Sequence, residues 1–324
     1  MAQRPANKRN TQKPGGSRYA ALAFLALIIL TVGAYLLFKP GGTGGPPEPM
    51  PARKAPAPVH RTTPSPPIAR NYSVSRKAQP APQRYPEAAI VPEEAPSASR
   101  LTGRPGLLAI VIDDMGSSMQ EARSLAGIGV PLTFSIIPGL HSYREVAAFA
   151  DSRGIETIIH IPMQSKEWPE RRLESNGLLV SMDDAAISEH LDEFMHAIPR
   201  AVGANNHTGS EFTEHEDKMR VVLTALKERG LFFVDSVTTP RSVGIRLTRE
   251  LGMRGGRRAV FLDNEQDGSY IRGQLDQAVR LAKKTGGVLA IGHPHPATIR
   301  TLEAALPGLS RQGITLVPAS QMVR

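Results

Sequence analysis

Apolar and polar positions change their pattern at Pro105. After it, short apolar runs alternate with amphipathic stretches that carry helix-start signals, the texture of a βα succession. Leu108 to Ile112, Leu132 to Ile137, Ile155 to Ile159 and Leu231 to Val234 read as strands, and Ala259 to Leu262, Val288 to Ile291 and Ile314 to Val317 continue the series. Ser118 with Glu121, Ser142 with Glu145 and Thr213 with Glu216 have the capping-box spacing that opens a helix, the last ending at Gly230. Ala185 to Ile198 is amphipathic at helical spacing. Seven or eight strands separated mostly by helices predict an α/β fold with a barrel-like parallel sheet, a doubly wound open sheet being the alternative. Either architecture gathers its chemistry at the carboxyl ends of the strands.

The first 104 residues follow other patterns. Tyr19 to Phe38 carries no charge and is rich in Leu, Ala and Ile. Its 20 residues suit an uncleaved transmembrane helix. Arg4, Lys8, Arg9, Lys13 and Arg18 precede it without an acidic residue, which predicts a cytoplasmic N-terminus and an extracytoplasmic remainder. Residues 1–18 are then a basic tail, 19–38 the span, 39–104 a linker and 105–324 the folded domain. The linker holds 15 prolines between Pro40 and Pro96 and few large apolar residues, so it lacks the apolar surface to offset the entropy of ordering. It reads as a disordered spacer.

Charge sharpens this division. The net +9 resides in the first part: residues 1–104 hold 15 Lys or Arg against 4 Glu, which leaves 24 basic and 26 acidic residues in 105–324. A nearly neutral domain without a basic stripe argues against a nucleic-acid partner. With no Cys there is no disulfide framework, and a domain of this size can bury a core without one.

Polar residues, mostly acids and histidines, recur where the apolar runs end: Asp113 and Asp114, then His160, then Asn205, Asn206 and His207, then Asp235 and Ser236, then Asp263, and finally His293 and His295. A strand that turns at Gly116 can aim both aspartates into one mouth, one to hold a cation and one to accept a proton, although the pair also fits a solvated turn that caps a helix. His160 lies between apolar residues and fits a core imidazole or a ligand. His207 lies in a polar, glycine-containing loop, 203–211. One carboxylate with two imidazoles is a ligand set that suits zinc or a similar divalent ion. His293 or His295 is placed to act as a general acid or to stabilise an oxyanion, or else to form a rigid proline turn. Asp235 and Asp263 are candidates to orient histidines, or helix caps. Trp168 is a candidate sugar-stacking residue or a loop anchor. No serine-hydrolase elbow, phosphate-binding loop or dinucleotide fingerprint occurs.

The segments Ile110-Val111-Ile112-Asp113-Asp114-Met115-Gly116, His160-Ile161-Pro162-Met163, Asn206-His207-Thr208-Gly209-Ser210, Phe233-Val234-Asp235-Ser236, Phe261-Leu262-Asp263-Asn264 and Ile291-Gly292-His293-Pro294 together resemble the divergent polysaccharide deacetylases of bacterial envelopes. The resemblance spans essentially all of 105–324 and implies a distorted (β/α) barrel related to carbohydrate esterases. It implies Asp113 as general base, Asp114 as a metal ligand and His293 as the acid, with His160 and His207 the imidazoles expected to complete the ligand set. Asn206, Glu211, Asp235, Asp263 and His295 are expected around them. The usual pair of histidines four residues apart is absent, since Glu211 follows His207 and Gln164 follows His160 at that spacing, and so is the Arg-Pro-Tyr loop. The expected activity is metal-dependent deacylation of an envelope polysaccharide or peptidoglycan-type glycan, at a bacterial inner membrane with the domain on the periplasmic or extracytoplasmic side. A carbohydrate-binding or scaffolding protein without turnover is the alternative.

Overall fold

A computed structural model describes residues 105–324. The predicted membrane span at 19–38 and the Pro-rich linker lie outside the described residues. Among the described residues, no helix is long and apolar enough to cross a membrane.

The chain alternates strands β1 (Gly106–Met115), β2 (Thr133–Ile136), β3 (Glu156–Met163), β4 (Gly203–Thr208), β5 (Phe232–Asp235), β6 (Gly255–Arg257), β7 (Val260–Phe261), β8 (Gly287–Gly292) and β9 (Ile314–Val317) with helices. These are α1 (Met119–Gly127), α2 (Tyr143–Ser152), α3 (Asp184–Ala197), α4 (Glu216–Glu228), α5 (Gly244–Glu250), α6 (Gly268–Thr285) and α7 (Pro296–Ala305). Eight strands lie in the order β6-β5-β4-β3-β2-β1-β8-β7, all parallel, and β9 pairs with the first half of β1 on the side that β2 takes further along. The curl is drawn together by the connection between its two ends. Arg258 N–H donates to Asp235 O on β5 at 2.9 Å, and the next residue, Ala259, donates to Leu289 O on β8 at 2.8 Å. This is the distorted parallel barrel expected from the alternation of runs.

Strand parity sorts the side chains. Leu108, Ile110, Ile112, Ile159, Ile161, Ala204 and Phe233 pack outward against the helices, while Ala109, Val111, Ile158, Phe232, Val234, Leu289 and Ile291 fill the interior. Gly203 makes that filling possible, because a Cβ there would lie 2.5 Å from the Phe232 ring. Helix α6 shows why its sequence is helical: Ile271, Leu275, Ala278, Val279 and Ala282 form one buried stripe, Asp267 Oδ1 accepts from Ser269 N and Tyr270 N, and Gly286 ends it at φ 86°. Ser118 caps α1 as read, its Oγ accepting from Glu121 N at 3.3 Å.

Other expectations needed correction. Ser142 makes no side-chain cap bond. Thr213 does not open α4: it is buried, bonded to Gly209 O at 2.7 Å, and the helix starts at Glu216. The supposed loop 203–211 is in its first part the strand β4, paired on both sides by β3 and β5. Its polar residues hide the strand from a hydrophobicity reading, because at the mouth of the barrel the interior is polar. Helices α5, α6 and α7 and strand β6 were not foreseen.

Candidate active site

The mouth is built one step beyond the apolar interior. On the same strands and the same face, Val111 is followed by Asp113, Ile158 by His160, Gly203 by Asn205, Val234 by Ser236 and Ile291 by His293. Asp114 joins Asp113 through a bulge. Ile112 pairs with Phe134 but Met115 with Ile136, so β1 carries one residue more than β2, and Asp114 takes it up with φ 55°. Thr208 and Val237, at two other strand ends, also have positive φ, 53° and 52°. Such strained non-glycine positions cluster where a side chain has to be aimed.

Asp114 Oδ1, His160 Nε2 and His207 Nδ1 converge, lying within 4.8 Å of one another. Oδ1 is 3.2 Å from His160 Nε2 and 2.8 Å from His207 Nδ1, and Nδ1 is 3.2 Å from Nε2. Asn205 decides what these atoms can do. It is fully buried, and its amide donates to Asp113 Oδ1 at 2.8 Å and to Ser236 Oγ at 3.2 Å. Its oxygen accepts from Ser135 Oγ at 2.6 Å and faces His160 Nδ1 at 2.7 Å. Asn205 Oδ1 can only accept, so His160 carries a proton on Nδ1, which leaves Nε2, on the side of Asp114, as the nitrogen able to offer a lone pair to an ion. Asp114 Oδ1 is enclosed and has no hydrogen bond. One enclosed carboxylate oxygen and two imidazole nitrogens from three strands, all within 4.8 Å of one another, are a donor set that fits a divalent cation.

A second group adjoins the first. Asp263 Oδ1 is 3.0 Å from His293 Nδ1, and its Oδ2 accepts from His293 N at 2.6 Å and Thr298 Oγ1 at 2.7 Å. His293 Nε2 is then left pointing at the cluster, 3.8 Å from Asp114 Oδ2. The ring of His295 stacks on His293 at 5.6 Å. Burial works against a charge on His293, but the carboxylates of Asp263 and Asp114 outweigh it and push its pKa up to about 10. Burial would likewise raise Asp114, yet the charges of His207 and His293 hold it well below the usual carboxylate range. His295 goes the other way, lowered by burial and by the neighbouring His293 charge.

The model of the divergent polysaccharide deacetylases matches residues 110–323. The chain belongs to that family. It is 36% identical over 218 residues to the uncharacterized protein YibQ of Escherichia coli K12, covering 67% of each chain. An uncharacterized protein of Haemophilus influenzae is 35% identical over 202 residues, covering 62% of this chain and 71% of its own. In fold, the domain is similar to the uncharacterized protein ATU2773 from Agrobacterium tumefaciens, with a TM-score of 0.65 at 21% identity, over 71% of this chain and 92% of that one.

Within this family fold, Asp113, Asp114, His160, His207, Asp263, His293 and His295 meet at one mouth. Three other expected residues do not. Asn206 faces the opposite side of β4, donating to Thr208 O at 2.7 Å and accepting from Ser236 N at 2.9 Å. Asp235 likewise points outward to Val237 N and Ser242 Oγ, and burial raises its pKa. Glu211 pairs with His215 at 3.1 Å. Parity explains the first two, since side chains on a strand alternate and only Asn205 and Ser236 share the interior face. Among the described residues, Trp168 is one of two exposed large apolar side chains. Asn205 and Ser236 were noted at strand ends but not assigned to the site, and Ser135, Thr298 and Glu174 were missed; Asn205 could have been preferred by counting two residues from His207.

Proposed function

We propose that this chain is a membrane-anchored, divalent-metal-dependent deacetylase of an envelope polysaccharide, with zinc as the ion and its folded domain outside the cytoplasm. The observation that carries the catalytic reading is the convergence of Asp114 Oδ1, an enclosed carboxylate oxygen, with His160 Nε2 and His207 Nδ1. The family supports a glycan substrate. The uncharged stretch 19–38 behind a basic tail supports the anchor and its orientation.

Asp114, His160 and His207 would hold the ion. A divalent ion bound there supplies Lewis acidity to water and to an acyl carbonyl. Asn205 ties Asp113 by Oδ1, leaving Oδ2, 3.5 Å from His160 Nε2, to accept a proton from the attacking water. His293, held by Asp263 and protonated, donates its Nε2 proton to the departing amine or alcohol as the acyl bond breaks. One proton leaves the water and one joins the leaving group, so the pair returns to its starting state by passing a proton from Asp113 to His293. Carboxylate and imidazolium thus serve one half of the reaction each.

Acetate release from N-acetylated glycan by the purified full-length chain, with and without chelator and with Asp113→Asn, tests this. Chelator-sensitive release that falls in the variant is expected. A chain that binds zinc but releases no acyl group from any glycan offered would favour the carbohydrate-binding role.

A further inference from the structure

Among the described residues, two buried side-chain oxygens lack any hydrogen-bond partner: Asp114 Oδ1 and Glu174 Oε2. Their carboxylates face the two ring nitrogens of one imidazole. Asp114 Oδ1 lies 2.8 Å from His207 Nδ1, and Glu174 Oε1 lies 3.8 Å from His207 Nε2. The proposed ion accounts for the first orphan. Nothing in the reaction described above uses the second.

Glu174 does not reach the site by chance of a long side chain. It belongs to the connection between β3 and α3, in a turn closed by Gly177 N–H donating to Glu174 O at 2.8 Å. Gly177 fits against Leu173, whose side chain a Cβ would meet at 2.4 Å. Asn176 fastens the turn from both sides, its amide donating to Pro138 O at 2.9 Å and its carbonyl lying 2.9 Å from His190 Nδ1. Leu178 is fully buried and exchanges backbone bonds with the end of β3, at Pro162 O and Gln164 N. A pinned backbone therefore presents a carboxylate to His207. Of that carboxylate, Oε1 is the oxygen that faces His207 and Oε2 is the enclosed one without a partner; burying a carboxylate in this way is unfavourable, and such groups persist where a partner or a task requires them.

Tautomer chemistry supplies the task. An imidazole that binds a cation through Nδ1 must carry its proton on Nε2, and that N–H then points at Glu174. His160 solves the same problem with a neutral amide, Asn205, at its far nitrogen. We propose that Glu174 is the positioning residue of the metal centre, holding His207 by its Nε2–H so that Nδ1 faces the ion, and strengthening that nitrogen as a donor by its negative charge. The inference rests on the metal reading and deepens it. A carboxylate–imidazole hydrogen bond is about 2.7–2.9 Å, so the side chain has roughly 1 Å to close when the ion is bound.

Zinc affinity of the detergent-purified full chain, measured by competition with a chromophoric chelator, tests this without reference to turnover. Glu174→Ala should weaken binding by about 10–100-fold, and Glu174→Gln, which keeps an acceptor but loses the charge, should fall between it and wild type. The metal-free melting temperature should not drop in either, which separates positioning from loss of structure. Should the Ala variant not fold, the Gln variant decides. Affinity equal to wild type in a folded variant overturns the role of Glu174. A wild-type chain that binds no zinc overturns the metal reading itself, and with it this inference, so the two failures are told apart.

Discussion

Two rows of side chains line the inside of this barrel, one residue pair apart along the same strands, and they differ in kind. The lower row, with Val111, Ile158, Val234 and Ile291, is apolar and closed. The upper row, with Asp113, His160, Ser236 and His293, is polar, and nearly every donor and acceptor in it is matched. The exceptions, Asp114 Oδ1 and His293 Nε2, lie at the proposed ion site. The contrast teaches that one scaffold serves two ends: the lower row contributes stability through burial, and the upper row uses the rigidity so gained to hold groups whose desolvation is unfavourable.

That division can be broken by single substitutions, the effect on turnover first and those on stability after it. Asp113→Asn should lower the deacylation rate by about 10²–10⁴-fold, with zinc affinity kept and the melting temperature no lower. Equal rates would remove Asp113 from the base role. Ile158→Ala, two residues before His160, should cost about 2–5 kcal/mol of stability in denaturant titration while leaving zinc affinity unchanged. A parallel loss of zinc would mean that the rows are not separable.

Asn205→Leu tests the join between them. It would leave Asp113 Oδ1, Ser135 Oγ, Ser236 Oγ and His160 Nδ1 without their present partner, each buried polar group costing about 1–3 kcal/mol. Both stability and zinc affinity should fall, because the tautomer of His160 is no longer set.

The smallest effect lies at the rim. Burial opposes the charge on Glu214, but hydrogen bonds from Lys166, Thr239 and Arg241 overcome it and lower its pKa from 4.5 to about 2. A depressed folded pKa contributes stability above about pH 4.5 that is lost as pH falls toward 2. The difference between wild type and Glu214→Gln should therefore be about 1 kcal/mol at neutral pH, since the pairs are partly solvated, and should vanish in acid. An undiminished difference at low pH would contradict the assignment.

The rows also explain what was legible in advance. The apolar strands and the acid or histidine at their ends could be read because burial on both faces leaves a continuous run of Val, Ile and Leu in the sequence. Strand β4 could not, since Gly-Ala-Asn-Asn-His-Thr has no such run and owes its strand to pairing with β3 and β5. Without it, parity was unknown, and Asn206 was preferred to Asn205. Helix α6 was legible in its Asp267 cap, apolar stripe and Gly286 stop, but the strand series absorbed the reading. The bulge at Asp113–Asp114 shows up only in register. Glu174 gave no signal, as its meeting with His207 is made by a turn whose anchors are far apart in the chain.

The claim on which the rest stands is that Asp114, His160 and His207, from three strands, grip one cation. Anomalous diffraction at the zinc edge, from crystals of the protein grown with zinc, measures this directly. The account predicts one strong peak bounded by Asp114 Oδ1, His160 Nε2 and His207 Nδ1. A map with no peak there at saturating zinc, or with its peak elsewhere, would contradict it.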